Sequence, residues 1–591
     1  MRRIRCLFTL VVMAVWLCAL VTGRGVRTFE YNDDVLVFAG KMNPSGNPYE
    51  TYRYIDAPGC PLLTVDQALT VGELLAGDNS YILQTNIHFN NNVASSVLCK
   101  YKATEEDVEV LRSYIKKRFE YELTVDDMPV WGSIGSWDMD RSEYYIDLHR
   151  TFYIGVNKDQ IVNVTLRTGN PVKLEPRVVY EFTYSVIFES SSVEYANRFS
   201  TVFGTRHASS RTRIVSVINS VLIIFFLLCV IMLVITRALR SDLAKMEQEA
   251  QLGYDGHDII DESGWRCLYA DVFRVPKHTS IFCGILGCGS QLLVLASLAI
   301  MLSVVTNYRI SMNRNLVTYT VLGYAFTSGI AGYVSGYQFM GCGLLAPPMA
   351  SKWIRAFHVT FMIAPLTYAV AFVPSSLVAI LYQSAQLPYL KGIIIVLFLE
   401  GFIAYPLCLA GVLCSRYIFR RTERRRNIPH VNQIPRLIPR PPRKLLAPHI
   451  LLLASGALPF MSIFVEFSFV FHSLWSYKFF HLYGFLVTTT VLYVAVTACV
   501  SVAATFLLLT TENHHWQWMS IGFGASCSLY ASAYAGIFYL FSTTMHGLYM
   551  WVVYVSYCVM FSLFLAILGG TVGYFSASFF VKKIYGQSKH D

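Results

Sequence analysis

The chain has 591 residues, of which 54% are hydrophobic and only 15% are charged. An average soluble domain has about 25% charged residues, so this composition argues against a wholly soluble protein and indicates several membrane spans. The net charge of +10 does not indicate nucleic-acid binding, because no basic cluster in a soluble segment is interleaved with base-stacking aromatic residues. We therefore expect no nucleic-acid partner.

The first residues have the layout of a secretory signal peptide. Three arginines within the first five residues precede an apolar stretch from Leu7 to Val21, and the small residue Gly23 follows. The sequence therefore predicts a signal peptide at 1–23. The alternative is an uncleaved anchor, but the apolar stretch is short for a membrane span.

Residues 24–213 are polar and predict a lumenal β-rich domain. Thr104, followed by three acidic residues and an apolar periodicity, predicts a capped amphipathic helix. After Trp137 the β-branched and aromatic residues alternate at period two. The predicted strands are 151–156, 160–167 and 178–188, and the predicted turns are 157–159 and 168–170.

Two covalent modifications are predicted in this domain. Cys60 and Cys99 are its only cysteines, which suggests one disulfide in an oxidising compartment; two buried thiols are the alternative. Asn163-Val164-Thr165 is an acceptor sequence for N-glycosylation. If Asn163 carries a glycan, the domain lies in the lumen.

Nine long apolar stretches follow, and a stretch of roughly 20 apolar residues is long enough to cross a bilayer as a helix. We therefore predict a polytopic α-helical membrane protein with a nine-helix transmembrane domain at 214–581. The predicted spans are 214–236, 280–306, 316–340, 353–382, 390–415, 448–471, 482–509, 517–541 and 549–579.

An odd number of spans after a lumenal domain predicts a cytosolic tail at 582–591. Cytosolic links are enriched in lysine and arginine, and the links 237–279 and 416–447 are the basic ones. Both are therefore predicted to be cytosolic. Five prolines keep residues 427–447 from forming a long helix, so this stretch is either a strap on an anionic leaflet or an exposed linker.

Two carboxylates are predicted to lie at membrane depth. Glu400 falls in the fifth span and Glu466 in the sixth. Such groups are costly in lipid and usually face the bundle interior or a wet cavity. Each is either an ion or proton site or a hydrogen-bonded glutamate that joins helices. No lysine, arginine or aspartate within the spans completes a proton relay, which favours the second interpretation.

Glycines recur at helical spacing in two spans, and small residues at such intervals let helices approach closely. The sequence favours packing within the bundle; docking of a partner's transmembrane helix is the alternative. The glycines are Gly329, Gly332, Gly336, Gly569, Gly570 and Gly573.

Motifs for catalysis or metal binding are not found in the sequence. Glu512, His514 and His515 lie beside Trp516 and Trp518, but this group lacks the ligand number and spacing of a metal site and is typical of an interfacial aromatic belt. We find no nucleophile elbow, phosphate loop or zinc-type cysteine pair. We therefore expect no enzymatic activity, no cofactor and no metal.

Short motifs in a fixed order show which family the chain resembles. In the first third they are Tyr54–Cys60, Gly72–Asp78, Leu98–Lys100 and Asp126–Gly132. In the apolar part they are Gly264-Trp265, Asp271–Arg274, Ile434–Pro439, Leu458–Glu466, Trp516–Trp518, Gly573-Tyr574 and Lys583–Tyr585. Over nearly its whole length the chain resembles the transmembrane 9 superfamily, also called nonaspanins or endomembrane protein 70.

The resemblance implies a location and a role. Members reside in Golgi and endosomal membranes, and they are implicated in the surface delivery of membrane proteins with glycine-rich transmembrane segments. They typically end in Lys-x-Asp or Lys-x-Glu, so Lys589 and Asp591 are expected to form a coatomer-type retrieval signal. Membrane lipids, membrane-protein cargo and coatomer are thus the expected partners, and the oligomeric state stays open.

The leading hypothesis is a Golgi or endosomal protein that sorts or escorts other membrane proteins. The alternative is an ion- or proton-coupled transporter or channel that uses Glu400 or Glu466.

Overall fold

A computed structural model of the chain describes most of the head and the helical bundle. The described residues are 28–64, 69–78, 81–138, 142–195, 264–269, 271–305, 315–345, 352–423, 434–439, 446–475 and 482–587, with isolated residues elsewhere. The predicted signal peptide, most of the first predicted span, and Lys589 and Asp591 lie outside them.

The head (residues 28–198) consists of two β-sheets packed around one core. Its strands are β1 (Val37–Pro44), β2 (Tyr52–Arg53), β3 (Leu63–Thr64), β4 (Tyr81–Leu83), β5 (Val93–Lys102), β6 (Phe119–Val125), β7 (Met128–Ser133), β8 (Gly135–Asp138), β9 (Glu143–Asn157), β10 (Gln160–Lys173) and β11 (Val179–Ser190).

The strand orders show how the two sheets are built. One sheet has the order β3-β4-β1-β6-β7, and β2 pairs with β1. The other has the order β10-β9-β11-β5, and β8 pairs with β9. All pairs are antiparallel except β9 with β11. Alternate residues of the long strands point into the core, as the period-two pattern predicted.

The predicted amphipathic helix is confirmed. The α-helices with described bounds in the head are α1 (Val71–Ala76) and α2 (Glu105–Lys116). The Thr104 hydroxyl accepts from the Asp107 amide, and the Asp107 carboxylate accepts from the Thr104 amide, which is a capping box. The buried face of α2 packs on the core of the head.

The three predicted strands are confirmed, but one predicted turn is wrong. The turn at 157–159 joins β9 to β10, and Lys158 has the positive φ of a tight turn. Residues 168–170, by contrast, lie within β10, where Thr168 pairs with Arg150. The 15-residue β9 continues to pair with β10 beyond residue 170, so the strand does not end at Thr168-Gly169-Asn170. The local effect of this turn-like sequence is the positive φ of Asn170 within the strand.

The bundle follows as a series of long apolar helices. They are α3 (Thr279–Val305), α4 (Asn315–Leu345), α5 (Trp353–Leu381), α6 (Leu390–Leu399), α7 (Tyr405–Glu423), α8 (Pro448–Trp475), α9 (Leu482–Thr510), α10 (Trp516–Ala525), α11 (Cys527–Ser542) and α12 (Leu548–Gln587). A π-helical turn, Glu400–Ala404, joins α6 to α7. Residue 526 alone separates α10 from α11.

Seven helical segments among the described residues are long and apolar enough to cross a membrane, with α6–α7 and α10–α11 each counted as one. Each coincides with a predicted span. The third predicted span corresponds to α4, which is long enough at 31 residues but less apolar, because it is rich in glycine, tyrosine and hydroxyl side chains. The fold is therefore a polytopic helical membrane domain behind a β-rich head.

The long helix α12 lies at the centre of the bundle. It packs against α3 and α5 on one side and against α9, α10 and α11 on the other. α4 covers α3, and α7 in turn packs on α4. α8 packs on α9, α10 and α11. The bundle therefore consists of two helix groups that α12 holds together.

Candidate functional site

The first group of family motifs meets in the head around a disulfide. Cys60 and Cys99 are bonded, with their Cα atoms 5.8 Å apart. The bond attaches the turn-rich segment after β2, which belongs to the first sheet, to β5 of the second sheet. A small cavity beside it is lined in part by Tyr54, Tyr121 and Arg150. The motif cysteines therefore join the two layers of the head.

Arg150 is a buried cation that sequence reasoning missed. Its Nη2 donates to the Tyr54 hydroxyl at 2.7 Å, and its guanidinium lies 4.8 Å from the ring centroid of Tyr121. Burial raises the pKa of Tyr121, so its hydroxyl stays neutral. The alternation of β9 could have predicted that Arg150 is buried. Arg150 lies two residues from each of the inward-facing residues Leu148 and Phe152, so it faces the core as they do.

Asn163 lies on β10, next to a register shift in the pairing with β9. It pairs with Gly155, and its side chain is half-buried. The following sequon residue, Thr165, is exposed. A glycan on Asn163 would have to leave the sheet between its neighbours on β9.

The head is attached to the bundle through a short segment after β1. The Asn47 side-chain amide donates to the carbonyl of His546 at 2.8 Å and accepts from the amide of His546 at 2.9 Å. The Tyr49 hydroxyl donates to the Leu474 carbonyl at 2.5 Å, and its ring packs edge-on against Trp475. The loop before α12 and the end of α8 are thereby fixed to one segment of the head.

A third part of the bundle, the loop between α5 and α6, completes this contact. The carbonyl of Thr51 accepts from the amide of Ala385 and from the hydroxyl of Ser384, both at 2.8 Å. The Ser384 hydroxyl in turn lies 3.1 Å from that of Tyr549. The carbonyl of Leu74 on α1 accepts from the amide of Tyr389 at 2.9 Å. We call this contact between residues 46–77 and the bundle the head–bundle junction.

Another set of motifs meets at the opposite end of the bundle. Trp516, Gln517 and Trp518 at the start of α10 donate from their side chains to three backbone carbonyls of the segment before α3. The acceptors are Val272, Arg274 and Lys277, at 2.8 to 2.9 Å. The Trp516 ring also stacks on Tyr574 of α12. The segment before α3 is thus held across the start of α10.

Charged residues extend this contact. Asp271 accepts from Nε of Arg274 at 2.8 Å and from the backbone amide of Arg436 at 3.3 Å. The Arg436 guanidinium lies 3.2 Å from the Glu512 carboxylate. The Tyr585 hydroxyl near the end of α12 donates to the Trp265 carbonyl at 2.6 Å. We call this group, formed by residues 264–278, 436, 512–518, 574 and 585, the tail-face cluster.

The two contacts lie at opposite ends of the helices. The junction involves the start of α4, the end of α8 and the loop before α12. The tail-face cluster involves the segment before α3, the loop between α9 and α10, and the end of α12. Consecutive helices run in opposite directions in such a bundle, so each contact collects the loops of one end.

His514 and His515 belong to the tail-face cluster and are poor proton acceptors there. Burial, His515 and the cation of Arg274 lower the pKa of His514, and the opposing effect of Asp271 does not offset them. Burial and Lys277 lower the pKa of His515. Both imidazoles are therefore neutral at pH 7. Together with Glu512 they do not form a metal site: within the described part of the chain no group of three His, Cys, Asp or Glu side chains is arranged to hold a metal ion.

The predicted glycines of α4 contact α7. A methyl group at Gly332 would collide with the carbonyl of Cys408, and one at Gly336 with the hydroxyl of Ser415. On the facing side, a methyl group at Gly411 would collide with the carbonyl of Gly329. Small residues on both helices therefore let the backbones of α4 and α7 touch.

The second set of glycines lies between α12 and α10. Methyl groups at Gly569 and Gly524 would each collide with the other residue's carbonyl. Gly570 contacts Ile521, and Gly573 contacts the carbonyl of Ser520. All six predicted glycines thus face helices of the same chain.

Glu400 begins the π-helical turn between α6 and α7. The hydroxyl of Tyr324 on α4 donates to its Oε1 at 3.3 Å, which is long for such a bond. Pro406 follows the turn and has no amide hydrogen, which explains the local departure from α-helix. The Ser328 hydroxyl on α4 donates to the carbonyl of Ala404, the last residue of the π turn, at 2.9 Å.

Glu466 has a different environment. It is buried within α8, with only 3% of its surface exposed. Because α8 packs on α9, α10 and α11 while α7 packs on α4, the two carboxylates belong to different helix groups. The structure therefore does not bring Glu400 and Glu466 together as one site.

Comparison with known proteins gives the family. The model of the family described as endomembrane protein 70 matches residues 51–548. The chain belongs to the endomembrane protein 70 family. The motifs described above therefore occur in a chain whose relatives, the transmembrane 9 superfamily proteins, span the membrane several times.

Similar proteins align over almost their whole length. Transmembrane 9 superfamily member 4 of Arabidopsis thaliana is 30% identical over 587 residues, which cover 95% of this chain and 94% of the relative. Transmembrane 9 superfamily member 1 of Bos taurus is 28% identical, with 97% of each chain covered. A putative phagocytic receptor 1b of Dictyostelium discoideum is 28% identical, with 99% of each covered. No solved structure matches the chain significantly.

Proposed function

We propose that this endomembrane protein 70 family member resides in Golgi and endosomal membranes and sorts or escorts other membrane proteins. The observation that carries the proposal is the outer surface of α5, α6 and α7. Large apolar side chains remain exposed there, among them Leu366, Leu390 and Phe402, each about 70% exposed. A bundle of this kind offers membrane-embedded surface to other spanning helices, and its polar contacts serve to hold its own parts together.

We further propose that the head is lumenal and the tail cytosolic. Three features support this orientation: a leader with the layout of a signal peptide, the disulfide Cys60–Cys99, and the basic links at the end of the bundle opposite the head. Protease protection in sealed vesicles tests it. Cleavage of head and tail from the same side would contradict the proposal.

The proposed retrieval signal is Lys589 and Asp591, read by a coatomer-type coat. α12 runs to Gln587, so Lys589 follows its end by two residues. Replacing both Lys589 and Asp591 with alanine is expected to move the protein to later compartments, whereas Ser588→Ala, between the helix and the signal, is the matched control. Unchanged Golgi residence of the double variant would contradict the retrieval role.

The escort role is tested by the surface delivery of reporter membrane proteins. Cells that lack the protein are expected to retain single-span reporters with glycine-rich segments, and re-expression of the full chain is expected to restore their delivery. Reporters with leucine-rich segments are the control. Equal delivery of both reporters with and without the protein would contradict the proposal. The family does not favour the transporter alternative, and we propose no catalytic step or cofactor.

A further inference from the structure

We propose that Glu400 and Gly401 form a docking site within the membrane for a spanning helix of another protein that carries a hydrogen-bond donor at mid-depth. This inference rests on the proposed escort function and assigns residues to it. The occupant is defined by its chemistry: an amide, hydroxyl or ammonium side chain next to a small residue on an otherwise apolar helix.

The depth of Glu400 is the first step. It lies ten residues after Leu390, where α6 leaves the head–bundle junction. At 1.5 Å per residue, this places it about 15 Å into a hydrocarbon layer about 30 Å thick. Tyr324 lies nine residues into α4, at about the same depth. The carboxyl group is therefore near the middle of the bilayer, where unsatisfied polar groups are most costly.

The hydrogen bonding of Glu400 is the second step. Tyr324 supplies one bond of 3.3 Å to one carboxyl oxygen, and the structure gives no other described partner. A carboxylate has about four acceptor positions. Hydrocarbon chains cannot occupy them, so lipid alone leaves the group under-satisfied. A donor from another helix would complete its bonding.

The surface beside Glu400 is the third step. Gly401 is exposed, and a methyl group there would meet no atom of the described chain. Its neighbours along the helix face, Ile394 and Leu397, are bulky and more than half exposed. Gly401 is thus a notch in an apolar face, and such a notch lets a second helix approach closely enough for a hydrogen bond.

The described helices do not cover this face. The α6–α7 segment is the least buried of the seven candidate spans, at 11%. By contrast, Gly329, Gly332 and Gly336 of α4 face α7, and Gly411 of α7 faces α4. Ile223 lies in the first predicted span. It packs against Val496 and Val500 of α9 and not against the α6–α7 face.

The test uses the full-length protein in lipid nanodiscs and synthetic single-span helices. One probe has a leucine–alanine host with asparagine and alanine at its midpoint; the matched probe has leucine at both positions. Binding is measured by energy transfer between dyes on the protein and on the probe. The asparagine probe is expected to bind about threefold to thirtyfold more tightly, because polar pairs between helices in membranes contribute about 0.6–2 kcal/mol.

Three variants and one matched control separate the contributions. Glu400→Leu is expected to abolish the preference for asparagine, and Gly401→Leu to weaken binding of both probes. Gly536→Leu is the matched control, because Gly536 on α11 is equally exposed and a methyl group there also meets no atom. Glu400→Gln, which preserves shape and hydrogen bonding, is expected to retain at least part of the preference and shows that loss in Glu400→Leu is not a folding defect.

Three outcomes would overturn the inference. The first is equal binding of both probes to the unaltered protein, and the second is an asparagine preference that survives Glu400→Leu. The third is a loss of self-association in Gly401→Leu, which would assign the face to a second copy of the chain. The escort function is measured separately in cells. Normal delivery with Glu400→Leu would reject this site alone, and probe binding in vitro without any delivery defect in cells lacking the protein would reject the escort function alone.

Discussion

Asp126 and Arg198 form a buried ion pair that connects the head to the chain leading into the membrane domain. The Arg198 guanidinium is 2.8 Å from the Asp126 carboxylate, and the two side chains are 5% and 2% exposed. Asp126 and Asp127 occupy a two-residue hairpin turn between β6 and β7, both at positive φ. Asparagine tolerates this backbone conformation, so the carboxylate can be removed without straining the turn.

Asp126→Asn is expected to destabilise the head by about 3–5 kcal/mol, because it removes the carboxylate charge that is paired with the buried Arg198 cation. Amide hydrogen exchange of β6 and β7 measures the loss. Asp127→Asn is the control, since Asp127 is exposed in the same turn. Equal exchange rates in the two variants would show that the pair does not hold the hairpin.

The tail-face cluster is expected to lose stability as the pH falls. His514 is buried and its folded-state pKa is below the usual 6.5, so the folded state binds its proton less readily than the unfolded state. The stability that neutral His514 contributes to the folded state is fully present above about pH 6.5. It is lost as the pH falls from there through the folded-state pKa of His514. Thermal melting in detergent at pH 7.5 and 5.5 measures it. His514→Gln is expected to reduce the difference, and an unchanged difference would exclude His514 as its source.

Close helix contacts determine the order of the bundle at the scale of whole elements. α4 and α7 touch through glycines on both sides, and α10 and α12 do the same. In lipid, apolar side chains gain little by leaving one apolar environment for another, so close backbone approach and interhelical hydrogen bonds stabilise such pairs. The Ser328 hydroxyl of α4 also donates across the pair, to the carbonyl of Ala404 in the π turn that precedes α7.

Gly332→Ala is expected to destabilise the bundle, because the added methyl group collides with the Cys408 carbonyl and must separate α4 from α7. Gly341→Ala on the same helix is the matched control. Its methyl group meets no atom, and alanine favours helix over glycine by up to about 1 kcal/mol. Melting temperature in detergent distinguishes them: the first variant should fall and the second should rise or stay level. A similar response of both would contradict the contact.

The disulfide is expected to stabilise the head chiefly by restricting the unfolded chain. Cys60 and Cys99 close a loop of 39 residues, which corresponds to about 4 kcal/mol in the chain-entropy model. Replacing both cysteines with serine should lower the melting temperature of the head. Cys229→Ser, in the first predicted span, is a control for thiol removal. If reducing agent lowers the unaltered protein's melting temperature no further than that of the variant without Cys60 and Cys99, the bond does not contribute.

Periodicity and length were sufficient to predict the elements, because each depends on local residues. The capping box at Thr104, the strands of the head and the apolar helices all follow from such patterns. The turn at 168–170 was wrong because the partner strand, distant in sequence, decides where β10 ends. The same reason applies to Arg150. The alternation of β9 indicated that Arg150 faces inward, but its aromatic partners Tyr54 and Tyr121 come from distant parts of the chain.

The arrangement of the whole molecule was beyond sequence reasoning. The spans themselves were predicted, but neither the head–bundle junction nor the tail-face cluster was, since each joins segments hundreds of residues apart. Asn47 lies in an Asn-Pro-Ser-Gly-Asn-Pro stretch that reads as an ordinary turn. The motifs that carried the resemblance were separate in the sequence, and the structure brings those of the membrane part that lie near 265, 271, 516 and 585 into one cluster.

Asn47→Asp is expected to loosen the head from the bundle. The amide both donates to and accepts from His546, and a carboxylate loses the donor and faces a carbonyl oxygen instead. A cysteine pair at residues 46 and 544, which are in contact, measures docking by its rate of cross-linking. The rate should fall in Asn47→Asp and remain unchanged in Asn91→Asp, a substitution elsewhere in the head. Equal rates would show that this contact does not hold the two parts together.

α12 has a consequence for how the proposed C-terminal signal would be read. From Tyr574, where it stacks on Trp516, it continues for 13 residues, or about 20 Å, to Gln587, and Tyr585 fixes this extension to the segment around Trp265. The helix therefore sets the height above the bilayer and the direction from which residues 588–591 start. One inserted residue would rotate that starting direction by about 100°. If a soluble coat reads Lys589 and Asp591, we therefore expect a short free peptide with the same ending to be an incomplete ligand for it.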